Sequence, residues 1–285
     1  MMQYKEQAVR EYHTYHKVSA VTWRFLLGTI LFLMFFPFLF MLMTSFKDTY
    51  QFYHTFWIPA WPPHTANYVH AIGDMYQYIW NSIFVTAISI VGIVVSSTIC
   101  GFLFARYQFP GREILFYGMI LMMMIPGVLM LIPSFVWVDQ LGLLDTYAVM
   151  ILPYIAGGQV LGTYLLRGFF SELDNGLFEA AQVDGAGLIR QLWHVGVPLA
   201  KPIIGVVAIV SALGVWNNFL WPLVTTSSEE VMVLTVGMLR YTTRVGGQYG
   251  LMFAGYTISA IPLGVLFLFC TRLFMKGITS GALKA

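Results

Sequence analysis

Seven stretches of this chain pass twenty residues without a single Asp, Glu, Lys or Arg: Phe25–Phe46, Thr49–Gly73, Met75–Ala105, Ile114–Val138, Thr146–Leu166, Pro202–Ser228 and Val245–Thr271. A helix needs about 20 mostly apolar residues to cross a bilayer, so the placing of the charges limits the fold more than any motif does. The second stretch does not qualify. It holds Pro59, Pro62 and Pro63 beside His54, His64 and His70. Prolines at that density stop a helix, and hydrocarbon tolerates no unpaired backbone. Thr49–Gly73 is therefore expected to be an aromatic-rich loop at the membrane surface. The other six predict an all-α integral membrane protein with six transmembrane helices, centred near residues 34, 93, 126, 156, 210 and 262. Composition agrees. Only 10% of the 285 residues are charged and 58% are hydrophobic, whereas a soluble domain carries about 25% charged residues.

Pro37, Pro126, Pro133, Pro153, Pro222 and Pro262 fall in or near these spans. Each is expected as a kink whose freed carbonyl a neighbour satisfies. An even number of spans puts both termini on one side. That side collects Lys5, Arg10, Lys17, Arg24, Arg106, Arg112, Arg167, Arg190, Lys201, Arg272, Lys276 and Lys284, against Lys47, Arg240 and Arg244 on the other. Lys and Arg accumulate on the cytoplasmic side. Residues 1–24 and 276–285 are thus expected as cytoplasmic tails around a transmembrane domain of residues 25–275. The first span lacks a small-residue cleavage site and reads as a retained anchor. Cys100 and Cys270 lie in apolar runs without a CxxC pattern and read as packing residues. A net charge of +2 is too small to imply a nucleic-acid partner.

Chemistry on this chain is disfavoured. There is no GxxxxGK[ST] to cradle nucleotide phosphates and no HExxH. His13 and His16 form an HxxH pair with only Glu6 and Glu11 nearby, which reads as a solvated tail rather than a metal site. None of the six span cores carries an Asp, Glu, Lys, Arg or His, while ion-coupled carriers usually place such groups at mid-membrane. Energy for uphill transport would then enter from outside the chain. A carrier or channel working alone, and a membrane scaffold that moves nothing, remain as alternatives.

The stretch from Arg167 to Lys201 is where such energy could enter. It leaves the apolar pattern for about thirty residues between two spans, and loops of that length are usually functional. Ser171 or Asp174 can cap a helix over "LFEAAQV". Gly185 and Gly187 end or bend it, "LIRQLWHVGV" offers a second short helix, and Pro198 breaks into the next span. Small Ala180 and Ala181 beside Glu179 suit docking into a groove of a partner protein.

Glu179-Ala180-Ala181, Gly185 six residues after the Glu, then Val195, Val197 and Pro198 resemble the EAA motif, EAA-x3-G-x9-I-x-LP, of permease subunits of bacterial ABC importers. "WNSIFVTA", "ARYQFPGREILF", "GLLDTYAVMILPY", "WNNFLWPLV" and "KGITSGALKA" resemble the shorter permease of maltose-type carbohydrate importers. The resemblance implies the type I importer fold, with residues 168–201 as a coupling loop seated on an ATPase. It implies that Glu179, Ala180, Ala181, Asp184, Gly185 and Pro198 serve that coupling. It further implies a homologous second permease, two copies of an ATP-binding subunit that alone hold ATP and Mg, an extracytoplasmic solute-binding protein and a carbohydrate substrate. The setting would be the bacterial inner membrane with its lipid, and no cofactor would sit on this chain. Trp216, Asn217 and Asn218 are polar and aromatic groups of the kind that meet sugars, although "WNNFLWP" reads equally as helix-packing glue. Asn218 stands where relatives often have Asp or Glu. Residues 277–285, with Gly281 and Lys284, are expected as an extended tail reaching the ATPase.

Overall fold

A computed structural model describes residues 2–282, with side chains from Thr22 to Leu268. Lys284 lies outside the described residues; Gly281, Cys270, His13 and His16 fall where the backbone alone is described. The elements are α1 (Met2–Ser45), α2 (Thr49–His54), α3 (Ala66–Arg106), α4 (Arg112–Met122), α5 (Leu131–Gln140), α6 (Tyr147–Glu172), α7 (Asn175–Val183), α8 (Leu188–Gln191), a π-helical turn (Leu192–Gly196), α9 (Val197–Trp216), α10 (Leu220–Thr225), α11 (Leu234–Val245) and α12 (Tyr249–Ala282). No strand occurs among the described residues. The chain gathers into two compact units, one of residues up to Ala71 with Val245–Thr257, the other of Ile72–Arg244 with Ile258 onward.

Five helices among the described residues are long and apolar enough to cross a membrane: Thr22–Ser45, Ala66–Arg106, Tyr147–Glu172, Leu188–Trp216 and Tyr249–Leu268. The sixth expected helix, over Ile114–Val138, does not form as one piece. It is split into α4 and α5, and residues 123–130 run through tight turns such as Leu129 N–H to Pro126 O and Met130 N–H to Gly127 O. Pro126 lacks the N–H that would reach Met122, its ring clashes one turn back, and Gly127 adds no rigidity. The kink expected at Pro126 is thus a full interruption.

Three connections also differ from expectation. The loop before the second long helix is shorter, because α3 starts at Ala66, three residues after Pro63, and its first turns accept His70 and Asp74. That loop holds α2, closed by a capping box between Asp48 and Gln51. The stretch near 224–249 contains α11, whose apolar residues recur at helical spacing (Val236, Tyr241 and Val245 are buried) while Arg240 and Arg244 are exposed. Finally, α12 continues to Ala282, so residues 277–282 carry on the helix instead of running extended.

In the first unit, Phe40 packs on Phe56, Trp57 and Phe253, and Phe52 stacks on Tyr249 at 4.4 Å. Buried Lys47 donates to the Thr55 and Phe56 carbonyls at 2.6 and 2.7 Å, closing the end of α2. Burial pushes its ammonium pKa below the usual lysine range.

In the second unit, small residues bring α3 and α6 together. A Cβ on Gly162 would run into Ser97, one on Gly158 into Ile93, and one on Gly101 would stand 2.7 Å from the Leu166 Cβ. Lipid offers no hydrophobic drive between helices, so close packing at small residues is what holds them. Ile93, Phe102, Leu166, Phe170 and Val207 fill the core between α3, α6 and α9. The same cluster takes in Phe178 of α7 and Leu192 of the π turn. The core of the spans therefore extends without a gap under the charged excursion.

Candidate functional site

The excursion is built as two short helices with a defined corner. Asp174 caps α7, its carboxylate accepting from the Gly176 N–H at 2.8 Å. Ser171, the other expected cap, is still inside α6 and donates to the Arg167 carbonyl at 2.8 Å. At the far end the Gly185 N–H reaches Gln182 O and the Ala186 N–H reaches Ala181 O, with Gly185 at φ +79°. That pair of bonds is the Schellman termination, which needs a residue in the left-handed region, where only glycine is free of strain. Beyond the corner, α8, the π turn and α9 form one continuous run. Pro198 does not break it. Lacking an N–H, Pro198 cannot serve His194, and the Val197 N–H bonds one residue further back, to Leu192 O. The helix widens to a π turn there and goes on.

What α7 shows to solvent distinguishes it from a plain connector. Phe178 is its buried residue. Val183 is 89% exposed and Ile189, just past the corner, 73%. Leu177 and Trp193 are also exposed, as are Glu179 and Ala180. Gly185, Gly187, Ile189, Arg190, Trp193 and His194 line a concavity of about 770 Å³. Glu179 has no ion-pair partner among the described residues. The result is an exposed apolar patch around a carboxylate without an ion pair, set off the membrane spans.

The base of the excursion is held from the 106–113 turn. Arg106, the last residue of α3, donates to the Leu173 carbonyl and to the Asn175 side chain, and its guanidinium lies 4.4 Å from the centre of the Phe178 ring. Glu113, in the first turn of α4, accepts from Arg167 of α6 through both oxygens at 2.8 Å, and from Arg112 at 2.9 Å. Arg167 also stacks on Phe116 at 3.7 Å. Hydrogen bonds from Arg167, and then from Arg112, hold the Glu113 carboxyl below the usual carboxylate range.

A second feature lies along the same unit. Helix α9 stops at Trp216, and the chain turns through Asn217–Phe219 before α10. Those residues and the interrupted segment between α4 and α5 line one cavity of about 530 Å³, formed by Gly127, Val128, Ser134, Asn217, Asn218 and Trp221 among others. Two broken helices thus face each other across it, which is where irregular backbone is tolerated at membrane depth. Trp216 is buried, Asn217 exposed, and the Asn218 side chain accepts from the Trp221 N–H in the first turn of α10 at 3.3 Å.

Residues 97–280, nearly two thirds of the chain and including both features, match the family described as binding-protein-dependent transport system inner membrane component. The chain belongs to that family. It is 31% identical over 254 residues to the diacetylchitobiose uptake system permease protein of Streptomyces coelicolor, covering 87% of this chain and 83% of the relative. It is 34% identical over 215 residues to the maltose/maltodextrin transport system permease protein of Escherichia coli, covering 73% and 72%. Its fold is like that of a chain in a bacterial ABC transporter involved in the import of alginate, with a TM-score of 0.76 over 90% of this chain and 97% of that one at 19% identity. This protein is a multi-pass membrane permease subunit of a binding-protein-dependent ABC importer. A permease of this kind works with an ATPase, a solute-binding protein and a second permease.

In the permease, Glu179, Ala180, Ala181, Asp184 and Gly185 fall together on α7 and its corner, while Pro198 lies beyond the π turn. Asn217 and Asn218 fall together on the cavity, and buried Trp216 stands behind them. In the sequence, Arg106 and Arg167 count only toward sidedness, and Glu113 carries no expected role. Part of their signal was there, since Arg106, Arg112 and Glu113 flank a turn of five residues between apolar runs, on the same side as the excursion. Their partners could not be read, because the contacts join residues more than fifty positions apart.

Proposed function

We propose that this permease carries a carbohydrate, in the oligosaccharide range, through a pathway of which it forms one half, and that α7 is the element on which a separate ATPase acts. The observation that carries the second part is the exposed apolar face of α7 around unpaired Glu179. Exposed Val183 and Ile189 would cost little on a span facing lipid, but on a charged cytoplasmic excursion they call for a protein cover. Glu179 would meet a basic group in that cover. The carbohydrate class is supported by the relatives, whose names specify diacetylchitobiose, arabinooligosaccharides and maltodextrin. The cavity with Asn217, Asn218 and Ser134 offers amide and hydroxyl groups suited to sugar hydroxyls.

The split element between Arg112 and Gln140 is read here as one crossing, giving six. The charges favour it. With six crossings the Lys and Arg divide twelve to three; if α4 and α5 turned back on one side, the division would be eight to seven. Only the first is an oriented membrane protein. Both termini and residues 168–201 are then cytoplasmic, in the inner membrane of a bacterium. A homologous second permease would supply the other half of the pathway, and two ATP-binding subunits would hold ATP and Mg.

Glu179→Ala in the reconstituted importer is expected to leave the ATPase active but to lower solute moved per ATP about tenfold or more, the loss of one charged hydrogen bond at a docked surface. Transport per ATP equal to the wild type would remove α7 from the coupling role. Mass spectrometry of the solute carried by the co-purified binding protein tests the carbohydrate assignment directly, and an amino acid or peptide there would overturn it.

A further inference from the structure

The geometry points to the 106–113 turn as the positioning element that passes movement of α7 to α4, and so to the interrupted segment beside the cavity. This inference rests on the coupling role proposed for α7. Little within the chain holds α7. One side chain of the helix is buried, and Phe178 sits against Phe102 at 5.7 Å, with Phe102 against Phe170 at 5.4 Å. An aromatic contact alone resists withdrawal but not sliding or rotation. Arg106 adds what the rings lack. Its fork takes the Leu173 carbonyl and the Asn175 side chain, both at the start of α7, while its face covers Phe178. A planar guanidinium with several donors fixes direction as well as distance.

The other end of the same turn is fixed as well. Glu113 receives Arg167 through both oxygens, and Arg167 lies on Phe116. Only five residues separate the last residue of α3 from the first of α4, and Gly111 at φ +78° makes the reversal. Such a turn has little slack. A push on α7 that moves Arg106 must therefore also displace or rotate α4 about the Glu113–Arg167 contact. Helix α4 ends at Met122, where residues 123–130 begin the segment lining the cavity with Asn217 and Asn218. The contacts are continuous from α7 through Arg106 and the turn to Glu113 and α4. What they supply is a route with two removable links.

The test uses the complete importer in nanodiscs, with this chain freed of Cys100 and Cys270 and spin-labelled at Val128 and Leu239. The probes are ATP–Mg and vanadate. Trapping should shift the label-to-label distance in the wild type. Arg106→Met combined with Glu113→Gln should abolish most of that shift while the ATPase stays bound. Arg106→Lys should keep part of it, because an ammonium still covers Phe178 but has no fork. A purely structural role would not be rescued in that graded way. If the double variant fails to retain the ATPase, Asn175→Ala, at an exposed acceptor, takes its place together with Arg106→Lys. A full shift in these variants overturns the inference, and so does a wild type that shows no shift. Glu179→Ala separates the two readings: if it blocks the shift and the turn variants do not, the turn is refuted and the coupling role of α7 stands. If Glu179→Ala also shifts like the wild type, the coupling role itself fails.

Discussion

The two ends of the second unit are held in opposite ways. At the end assigned to the outside, polar groups are paired within the chain. Buried Asn81 donates to the Glu230 and Met232 carbonyls at 2.8 and 2.9 Å and accepts from Gln77 at 3.0 Å and Tyr147 at 2.8 Å. The Ser82 hydroxyl takes the Leu234 N–H at 2.7 Å, and Asp145 takes the N–H groups of Ser227 and Ser228 at 2.9 Å each. The opposite end leaves α7 attached by Phe178 and Arg106, with apolar side chains uncovered. The first end is closed by bonds within the chain; the second leaves apolar side chains for the partner proposed above. On that proposal, local looseness lies where another subunit acts.

The largest test of this contrast is Asn81→Ala. All four hydrogen-bonding positions of the amide are used, and their removal takes the side-chain donor from the Met232 carbonyl, while the Glu230 carbonyl keeps Gln77 and Tyr147. At about 1 kcal/mol for each bond, the loss should be about 4 kcal/mol, read as a lower midpoint in denaturant titration of the purified importer. Glu179→Ala, at the exposed end, should change that midpoint by less than about 0.5 kcal/mol. Equal effects at the two positions would erase the distinction.

Gly185→Val comes next. A β-branched residue at φ +79° costs about 1 to 3 kcal/mol, and the corner can relieve the strain only by unwinding the end of α7. Because α7 adds one buried side chain to the core, the unfolding midpoint should fall by less than that range, while retention of the ATPase during purification should drop sharply. A variant that keeps the ATPase and loses global stability would place the corner in the rigid part of the molecule.

How far the sequence alone reaches follows the same division. Charge-free runs located five of the long helices, because burial in lipid imposes composition on every residue of a span. The capping and the glycine corner of α7 were legible because both are local, set by Asp174 and Gly185 and their neighbours. The interruption at 123–130 was visible as Pro126-Gly127, but its depth was not, since many membrane helices pass a proline with a kink alone. Lipid-facing length also hid α11, whose twelve residues are amphipathic rather than apolar. Asn81 and Arg106 look like isolated polar residues in the sequence. Their meaning depends on partners about 150 and 70 positions away, which no local pattern encodes.

The smallest effect expected is a pH response confined to the closed end. Asp145 holds φ +60° and uses one carboxylate oxygen for the N–H groups of Ser227 and Ser228. The bonds from Ser228, and then Ser227, hold its pKa below the usual aspartate value. A carboxylate with a depressed folded pKa adds stability above its unfolded pKa of about 4 and loses that contribution as pH falls through the folded value. Acidification below about pH 4 should therefore loosen residues 227–228 from the 145 turn. Asp145→Asn is the clean comparison, because Asn also accepts the left-handed backbone and keeps an oxygen for the two donors. The charge is all that goes, and at a half-exposed site water screens much of its value. The variant should be about 1 kcal/mol less stable at neutral pH, the difference between a charged and a neutral acceptor, and should match the wild type once both are acidified. Amide exchange at Ser227 and Ser228 reads the same change locally. Glu113 has a depressed pKa as well, at the opposite end, so both proteins will lose stability in acid for that reason. Only the gap between wild type and Asp145→Asn reports on Asp145, and a gap that persists unchanged below pH 4 would mean that the carboxylate charge is not what fastens this end.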